Sequence, residues 1–267
     1  TYFFSFKAVE RLQNTLSEVH WQDADRLVNW CRLIKSDAEV EVMRVAAEIA
    51  SNVQQVAREH IAPGVRQCDL VAKILEAGTS GINGSGGDLP ALCPLVMAGE
   101  AAATAHPMWT DIPFEKNQTV ALELGGAHKR YNAGLARTFQ LGSGPQKVYD
   151  TANAVTEGLE SVLETIRPGV TAGDVHTAWQ KVLNRYGLVK ESRIGYGIGV
   201  GYSPDWGEHT ISLRANDLTV LEKNMTLHVM LGMWMDGWGI EFSETVAVTD
   251  SGVDCLTDFP RSVIDVR

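Results

Sequence analysis

Val40, Met43, Val45, Ala46, Ala47, Ile49, Ala50, Val53 and Val56 recur at the three- and four-residue spacing that lines one face of a helix. Ahead of them, Ser36 and Glu39 form a capping box, in which two side chains satisfy orphan N–H groups of the first turn. The pattern predicts a long amphipathic helix over residues 36–60, stopped by Pro63-Gly64. A second helix is expected from about Asp69, then a glycine-rich loop at 78–87 and a buried strand over the apolar run 92–98. Leu122 and Leu124 alternate with Ala121 and Glu123, so Glu123 falls on the strand face opposite the leucines. Residues 148–165 read as a helix, Pro168-Gly169 as a turn, and Thr171 with Asp174 as a second cap, opening a helix to about Arg185. The glycine-laced run 194–202 reads as a strand closely approached by another backbone rather than a phosphate loop, because no helix opens behind it.

The second set of elements repeats the first. Lys116-Asn-Gln-Thr-Val-Ala-Leu-Glu-Leu-Gly125 returns 107 positions later as Lys223-Asn-Met-Thr-Leu-His-Val-Met-Leu-Gly232. Ile61-Ala-Pro-Gly-Val with Asp69 is echoed by Ile166-Arg-Pro-Gly-Val with Asp174, at an offset of 105. Each copy reads helix, Pro-Gly turn, helix, strands. Duplicated halves packed about a pseudo-two-fold axis leave a seam, and a crevice between packed subunits of structure is where ligands bind.

Length and composition narrow the rest. A chain of 267 residues with 45% hydrophobic content supports one main domain, residues 36–267, with residues 1–35 as the tail of a preceding domain and its linker. The chain starts at Thr1, which leaves room for a longer parent protein. A net charge of −10 without a basic stripe argues against nucleic acid and anionic membranes as partners. Cys31, Cys68, Cys93 and Cys255 have no CxxC spacing, which fits reduced thiols and a cytoplasmic location. No apolar run approaches the ~20 residues of a membrane-spanning helix.

From Arg32-Leu-Ile-Lys35 to the C-terminus the chain resembles the creatinase, prolidase and methionine aminopeptidase superfamily. The resemblance rests on the order of several landmarks: Lys35 and Glu39 at a helix start, His106 before the first long strand, the Leu-x-x-Gly strand at Leu122, Arg137-Thr-Phe139 and Thr245-Val-Ala-Val-Thr-Asp-Ser-Gly252. It implies an α+β pita-bread fold, with duplicated halves around a curved, mainly antiparallel sheet, and a homodimer. Metal-dependent members use two Asp, one His and two Glu as ligands. Those positions fall on Glu123, Gly134, Ile198 (Tyr196 if the register slips by two), Met230 and Ser243. A small insertion would put Glu241 or Glu244 at the last of them. Met, Ile and Gly supply no hard oxygen or imidazole, so no metal and no other cofactor is expected.

Within the superfamily, Gly201-Tyr-Ser-Pro-Asp-Trp-Gly-Glu208 and Met233-Trp-Met-Asp-Gly-Trp-Gly-Ile-Glu241 resemble the ectoine hydrolases. That likeness implies ring opening of ectoine, with hydroxyectoine as a second substrate. Glu123 is then the expected nucleophile and His106 the general acid and base. Glu241 would hold the amidinium, and Asp205, Trp206, His228, Trp234, Asp236 and Trp238 would form an acidic, aromatic pocket around it. Three alternatives stay open: a creatinase-like amidinohydrolase, an inactive pita-bread module that binds a peptide or protein, and a metallopeptidase whose ligands lie in another register. The bland readings also stand: Glu123 as a surface carboxylate on an edge strand, His106 as a satisfied core histidine, the tryptophans as core. Arg137 is read as a structural ion-pair partner, and the group that binds the substrate carboxylate is not identified.

Overall fold

The computed structural model describes residues 4–266. Residues 1–3 of the expected N-terminal tail and Arg267 of the expected main domain lie outside the described residues. Six α-helices and nine strands are found among the described residues: α1 (Phe6–Thr15), α2 (Leu27–Leu33), α3 (Asp37–His60), α4 (Gln67–Ser80), β1 (Leu95–Ala98), β2 (Gln118–His128), β3 (Tyr131–Leu141), α5 (Gln146–Thr165), α6 (Ala172–Tyr186), β4 (Gly195–Tyr202), β5 (Asp205–Ser212), β6 (Thr226–Met235), β7 (Trp238–Val248), β8 (Val253–Cys255) and β9 (Ile264–Val266). The sheet runs β1-β2-β3-β4-β6-β7-β8, with β5 on β4 and β9 on β3. Every pairing is antiparallel except β3 with β9, as the α+β expectation requires.

Both capping boxes form, at Ser36 with Glu39 and at Thr171 with Asp174. Helix α3 buries Met43, Ala46, Ile49, Ala50 and Val53. Gln54, on the same helix, donates to the carbonyls of Leu122 at 3.2 Å and Leu135 at 2.7 Å, which ties the helix to β2 and β3. The expected strand over 92–98 is shorter at its start, beginning at Leu95. Pro94 explains the difference, since it has no N–H to give to a ladder. Residues 4–35 carry more structure than a bare tail: in α2, Asn29 donates to the Glu208 carbonyl at 2.8 Å, and Arg26, just before α2, donates to the His209 carbonyl at 2.8 Å.

The duplication is visible in the backbone. Asn117 and Asn224, each opening a repeated strand, take the left-handed conformation with φ of 63° and 65°. Gly64 and Gly169 of the two Pro-Gly turns have φ of 89° and 87°. Each half has its own core, around Ile49, Leu70, Leu122 and Phe139 in the first and Leu159, Trp179, Leu227 and Phe242 in the second.

Where the halves meet, β3 and β7 are joined by side-chain hydroxyls. Thr138 Oγ1 accepts from Glu241 N at 2.9 Å and donates to Glu241 O at 3.1 Å. Thr245 Oγ1 accepts from Gly134 N at 2.9 Å and donates to Gly134 O at 2.8 Å. Thr138 and Thr245 are 107 residues apart, and so are Gly134 and Glu241, so each threonine performs for the other half what its twin performs for its own. Between the two staples, Ser243 Oγ accepts from Ala136 N at 2.7 Å.

Candidate active site

Glu123 sits in the middle of β2, opposite Leu95 of β1 and Ala136 of β3, so it is on an interior strand and 1% exposed. The edge-strand reading therefore fails. Glu241, on β7 opposite Gly232 of β6, is likewise 1% exposed. Neither oxygen of Glu241 has a hydrogen-bond partner, and Oε1 of Glu123 has none. Buried polar atoms are almost always paired, so three orphaned carboxylate oxygens in one seam are the conspicuous feature of this molecule.

Electrostatics follow from that burial. Burial raises the Glu123 carboxyl well above the usual carboxylate range; the charges of Glu241 and Asp205 reinforce the rise, and Arg193 opposes it. Burial also pushes Glu241 up to about 7, with Lys190 opposing. A cation placed between the two would reverse both shifts, because it favours the charged form of each.

Beside Glu123 lies a chain of rings. Trp206 Nε1 donates to Tyr196 Oη at 2.8 Å, Tyr196 Oη lies 3.1 Å from His228 Nδ1, and His228 Nε2 lies 2.7 Å from Ser243 Oγ. Because Trp206 can only donate, Tyr196 Oη accepts from it and has its remaining hydrogen-bonding capacity for His228 Nδ1, while Ser243 Oγ meets Nε2. Burial holds His228 down to about 3, so the ring is neutral, and both nitrogens are engaged. His228 Nδ1 is 4.0 Å from Glu123 Oε1. His228, expected as a substrate contact, is held in place at both nitrogens and shapes the wall beside Glu123.

Gly134 explains how these rings fit. A Cβ at this position would lie 2.9 Å from both His228 Cε1 and Trp206 Cζ2. Trp206, 1% exposed, also packs over Gly125, so it is core rather than a flat face for a ligand. Its neighbour Asp205 is at the mouth, paired with His209 at 3.2 Å and accepting from Gly207 N at 2.9 Å. His106 is also at the rim: exposed, with φ of 69°, on the segment that follows the short turn Gly99–Ala103. Partial burial and the charge of Arg193 lower its pKa, while Asp205 raises it. The exposed position answers the core-histidine reading.

Trp234 is folded back over Gly232, and its ring carries the Lys190 ammonium 4.0 Å from its centroid. Asp236 and Trp238 go elsewhere. The hairpin turn through Gly237, with φ of 75°, sends them to an outer cavity of about 740 Å³ that neither Glu123 nor Glu241 lines, and Lys147 sits 5.0 Å from the Trp238 ring. Their expected part in the Glu123 pocket does not match this placement.

Sequence reasoning missed Lys190, Arg193 and the hydrogen-bonding of Tyr196. Arg193 stacks on the Tyr196 ring at 4.4 Å and, with Tyr196 and Asp205, lines a cavity of about 340 Å³. Among the described residues no carboxylate lies within ion-pairing distance of it. The Lys-Glu-Ser-Arg sequence at 190–193 reads as a solvated loop, and only the tertiary fold buries its lysine.

The donor set does not fit a metal centre of the superfamily type. Of the five positions, only Glu123 presents a carboxylate. Ile198 is in the core, Met230 is buried, Ser243 is bonded to His228, and the space beside Gly134 is filled by His228 and Trp206. The alternatives for the last position divide cleanly. Glu241 is close enough for its charge to raise the Glu123 carboxyl, whereas Glu244 is tied to Arg137 at 2.6 Å and Arg261 at 2.9 Å in a buried cluster, which makes Arg137 a structural ion-pair partner. Among the described residues no group of three His, Cys, Asp or Glu is arranged to hold a metal ion.

Comparison with known proteins agrees with the architecture. Ectoine hydrolase of Halomonas elongata is 40% identical over 98% of this chain and 67% of its own length. An uncharacterized hydrolase/peptidase of Sinorhizobium fredii is 42% identical, again over 98% of this chain and 67% of its own length. The chain thus spans about two thirds of the length of these curated relatives. Among solved structures, a prolidase from Thermococcus sibiricus superposes with a TM-score of 0.89 at 20% identity, covering 99% of this chain and 71% of that one. An X-Pro aminopeptidase from Thermotoga maritima gives 0.87 at 21% identity, covering 98% and 72%. These two share the pita-bread fold with it. The sequence also matches the profile of metallopeptidase family M24 over residues 41–250, and the chain belongs to that family.

Proposed function

We propose that this chain is a metal-independent hydrolase that opens the cyclic amidine ring of ectoine, and of hydroxyectoine, to the N-acetylated diaminobutyrate. The orphaned oxygens of Glu123 and Glu241 carry the reading: two buried carboxylates, near enough for the charge of one to raise the other and short of hydrogen-bond donors, suit a cation that brings N–H groups. The likeness to the Halomonas elongata ectoine hydrolase supplies the substrate. Residues 36–267 form the catalytic domain in this reading, and the protein works as a cytoplasmic homodimer without a cofactor.

Glu241 holds the amidinium by charge-assisted hydrogen bonds, and the bound cation draws Glu123 into its ionised form, its proton passing to His106. Glu123 then adds to the carbon between the two nitrogens. The carbon–nitrogen bond breaks as its electron pair goes to the departing ring nitrogen, which takes a proton from His106. His106 next takes a proton from water, whose oxygen attacks the same carbon and releases Glu123. The sum is one water added, an amide on one nitrogen and an ammonium on the other. The nitrogen that departs is the one His106 can reach from the rim. Arg193, stacked on Tyr196 beside the mouth, binds the substrate carboxylate, and Asp205 sets the angle of approach.

Proton NMR of the protein with ectoine, with and without excess EDTA, tests this. Ring opening in both samples is expected. Product only without EDTA would overturn metal independence. No product in either, from a chain as long as the curated relatives, would overturn the substrate.

A further inference from the structure

Lys190 lies in the loop between α6 and β4 and is 7% exposed. Its backbone carbonyl accepts from Gln180 Nε2 at 2.8 Å, which fixes the loop to α6. Its ammonium donates to the Gly232 carbonyl at 2.6 Å and stands 4.0 Å from the centroid of the Trp234 ring. Gly232 is the cross-strand partner of Glu241, so the ammonium is anchored to the residue beside the carboxylate instead of to the carboxylate. A side chain at Gly232 would occupy the place of the Trp234 indole, so the glycine is what lets this aromatic shelf form.

Resting on the reading above, we propose that Lys190 is a positioning residue for Glu241, whose ammonium balances the carboxylate charge while leaving both oxygens open to a cationic ligand. A direct ion pair would cap one oxygen and make the ligand displace an ammonium. A carboxylate with no cation nearby would keep its proton and offer a neutral acid. The offset placement avoids both. It also explains a buried lysine next to two orphaned oxygens, which is otherwise a costly arrangement.

The groups that face Glu241 are Glu123 from β2 and Lys190 from the loop, and His228 of β6 is neutral. On the other side, Lys190 is felt by His176 of α6, whose pKa burial and that charge both lower. Burial brings Lys190 down to about 8, and Glu241 opposes the change. The lysine thus remains charged at neutral pH, when Glu241 is half ionised.

Lys190→Met and Lys190→Gln test the assignment; the glutamine keeps a donor for the Gly232 carbonyl and removes the charge. The direct readout is 13C NMR titration of protein labelled at the glutamate carboxyls, with Glu241→Gln to assign the resonance. Both variants should move the Glu241 titration up by about one pH unit, equivalent to a roughly fivefold loss of the ionised form near neutrality. In turnover, KM should rise about fivefold at pH 7 with kcat changed less, and Lys190→Arg should restore most of the loss. If Lys190→Met does not fold, the glutamine variant carries the titration. An unmoved Glu241 titration in the glutamine variant would overturn the proposal. The titration needs no substrate, so failure of the ectoine reading would leave this result standing.

Discussion

In the first half Glu123 occupies the position that Met230 holds in the second, and in the second half Glu241 stands where the first has Gly134. His228 likewise corresponds to Ala121 and Ser243 to Ala136. The halves agree where the backbone needs them to agree: Asn117 and Asn224 turn the chain alike, and Thr138 and Thr245 make reciprocal bonds across the seam. They disagree at the side chains that project into the seam. One half supplies a carboxylate against a thioether, and the other supplies a carboxylate against a bare glycine whose space His228 and Trp206 occupy. Duplication therefore built the walls, and divergence of facing positions made the chemistry, so the comparison between halves picks out the site without reference to any relative.

Breaking the first asymmetry should have the largest effect. Glu123→Gln is expected to lower kcat for ectoine by about a thousandfold or more, and Met230→Leu at the twin position to change it less than about threefold, both by NMR of ring opening. Equal losses at the twins would remove Glu123 from the chemistry. Next, Glu241 must be ionised to receive a cation. Burial raises it to about 7, so that form is populated above this pH and lost below it, and kcat/KM should rise with pH through about 7. Glu241→Gln should raise KM about tenfold to a hundredfold and flatten that limb. A wild-type profile flat from pH 6 to 8 would contradict the assignment.

Filling the glycine tests the second asymmetry as a matter of stability. Gly134→Asp drives a side chain into His228 and Trp206 and buries a charge, which should cost about 3 kcal/mol and lower the melting temperature by roughly 6–12 °C. An unchanged Tm would mean that the rings yield freely. The symmetric pair offers a finer measure: Thr138→Val and Thr245→Val should each cost about 1–2 kcal/mol in denaturant unfolding and differ by less than about 0.5 kcal/mol. A large inequality would show that the staples are not equivalent. Smallest of all, Asp236→Ala should leave turnover within about twofold, because the residue lines the outer cavity.

What the sequence disclosed was what depends on near neighbours. The capping boxes, the Pro-Gly turns and the face occupied by Glu123 follow from spacings of two to four residues, and the repeat is read by aligning the chain with itself. The fate of Asp236 and Trp238 depends on a hairpin turn that reverses them away from Trp234 only a few residues on, so closeness in sequence misled. Lys190 and Arg193 belong to a charged loop that is ordinary until α6, β4 and β6 are placed around it. Trp206 shows the same limit, because its burial is set by two glycines on other strands, Gly125 and Gly134. The homologous positions for metal ligands located the seam correctly, and the packing there shows why most of those positions no longer have room or donors.

The hydroxyl staples have a kinetic meaning as well. They join residues 103 and 111 positions apart, so the loop each one closes encompasses an entire half of the domain. Local helices and hairpins form long before such contacts, since closing a long loop costs entropy that only the finished surface returns. The seam is then among the last parts to assemble and among the first to open. Weakening a staple should therefore leave the refolding rate nearly unchanged and quicken unfolding, and a chain caught with its seam open would have two folded halves, an intact sheet on each side and no working pocket.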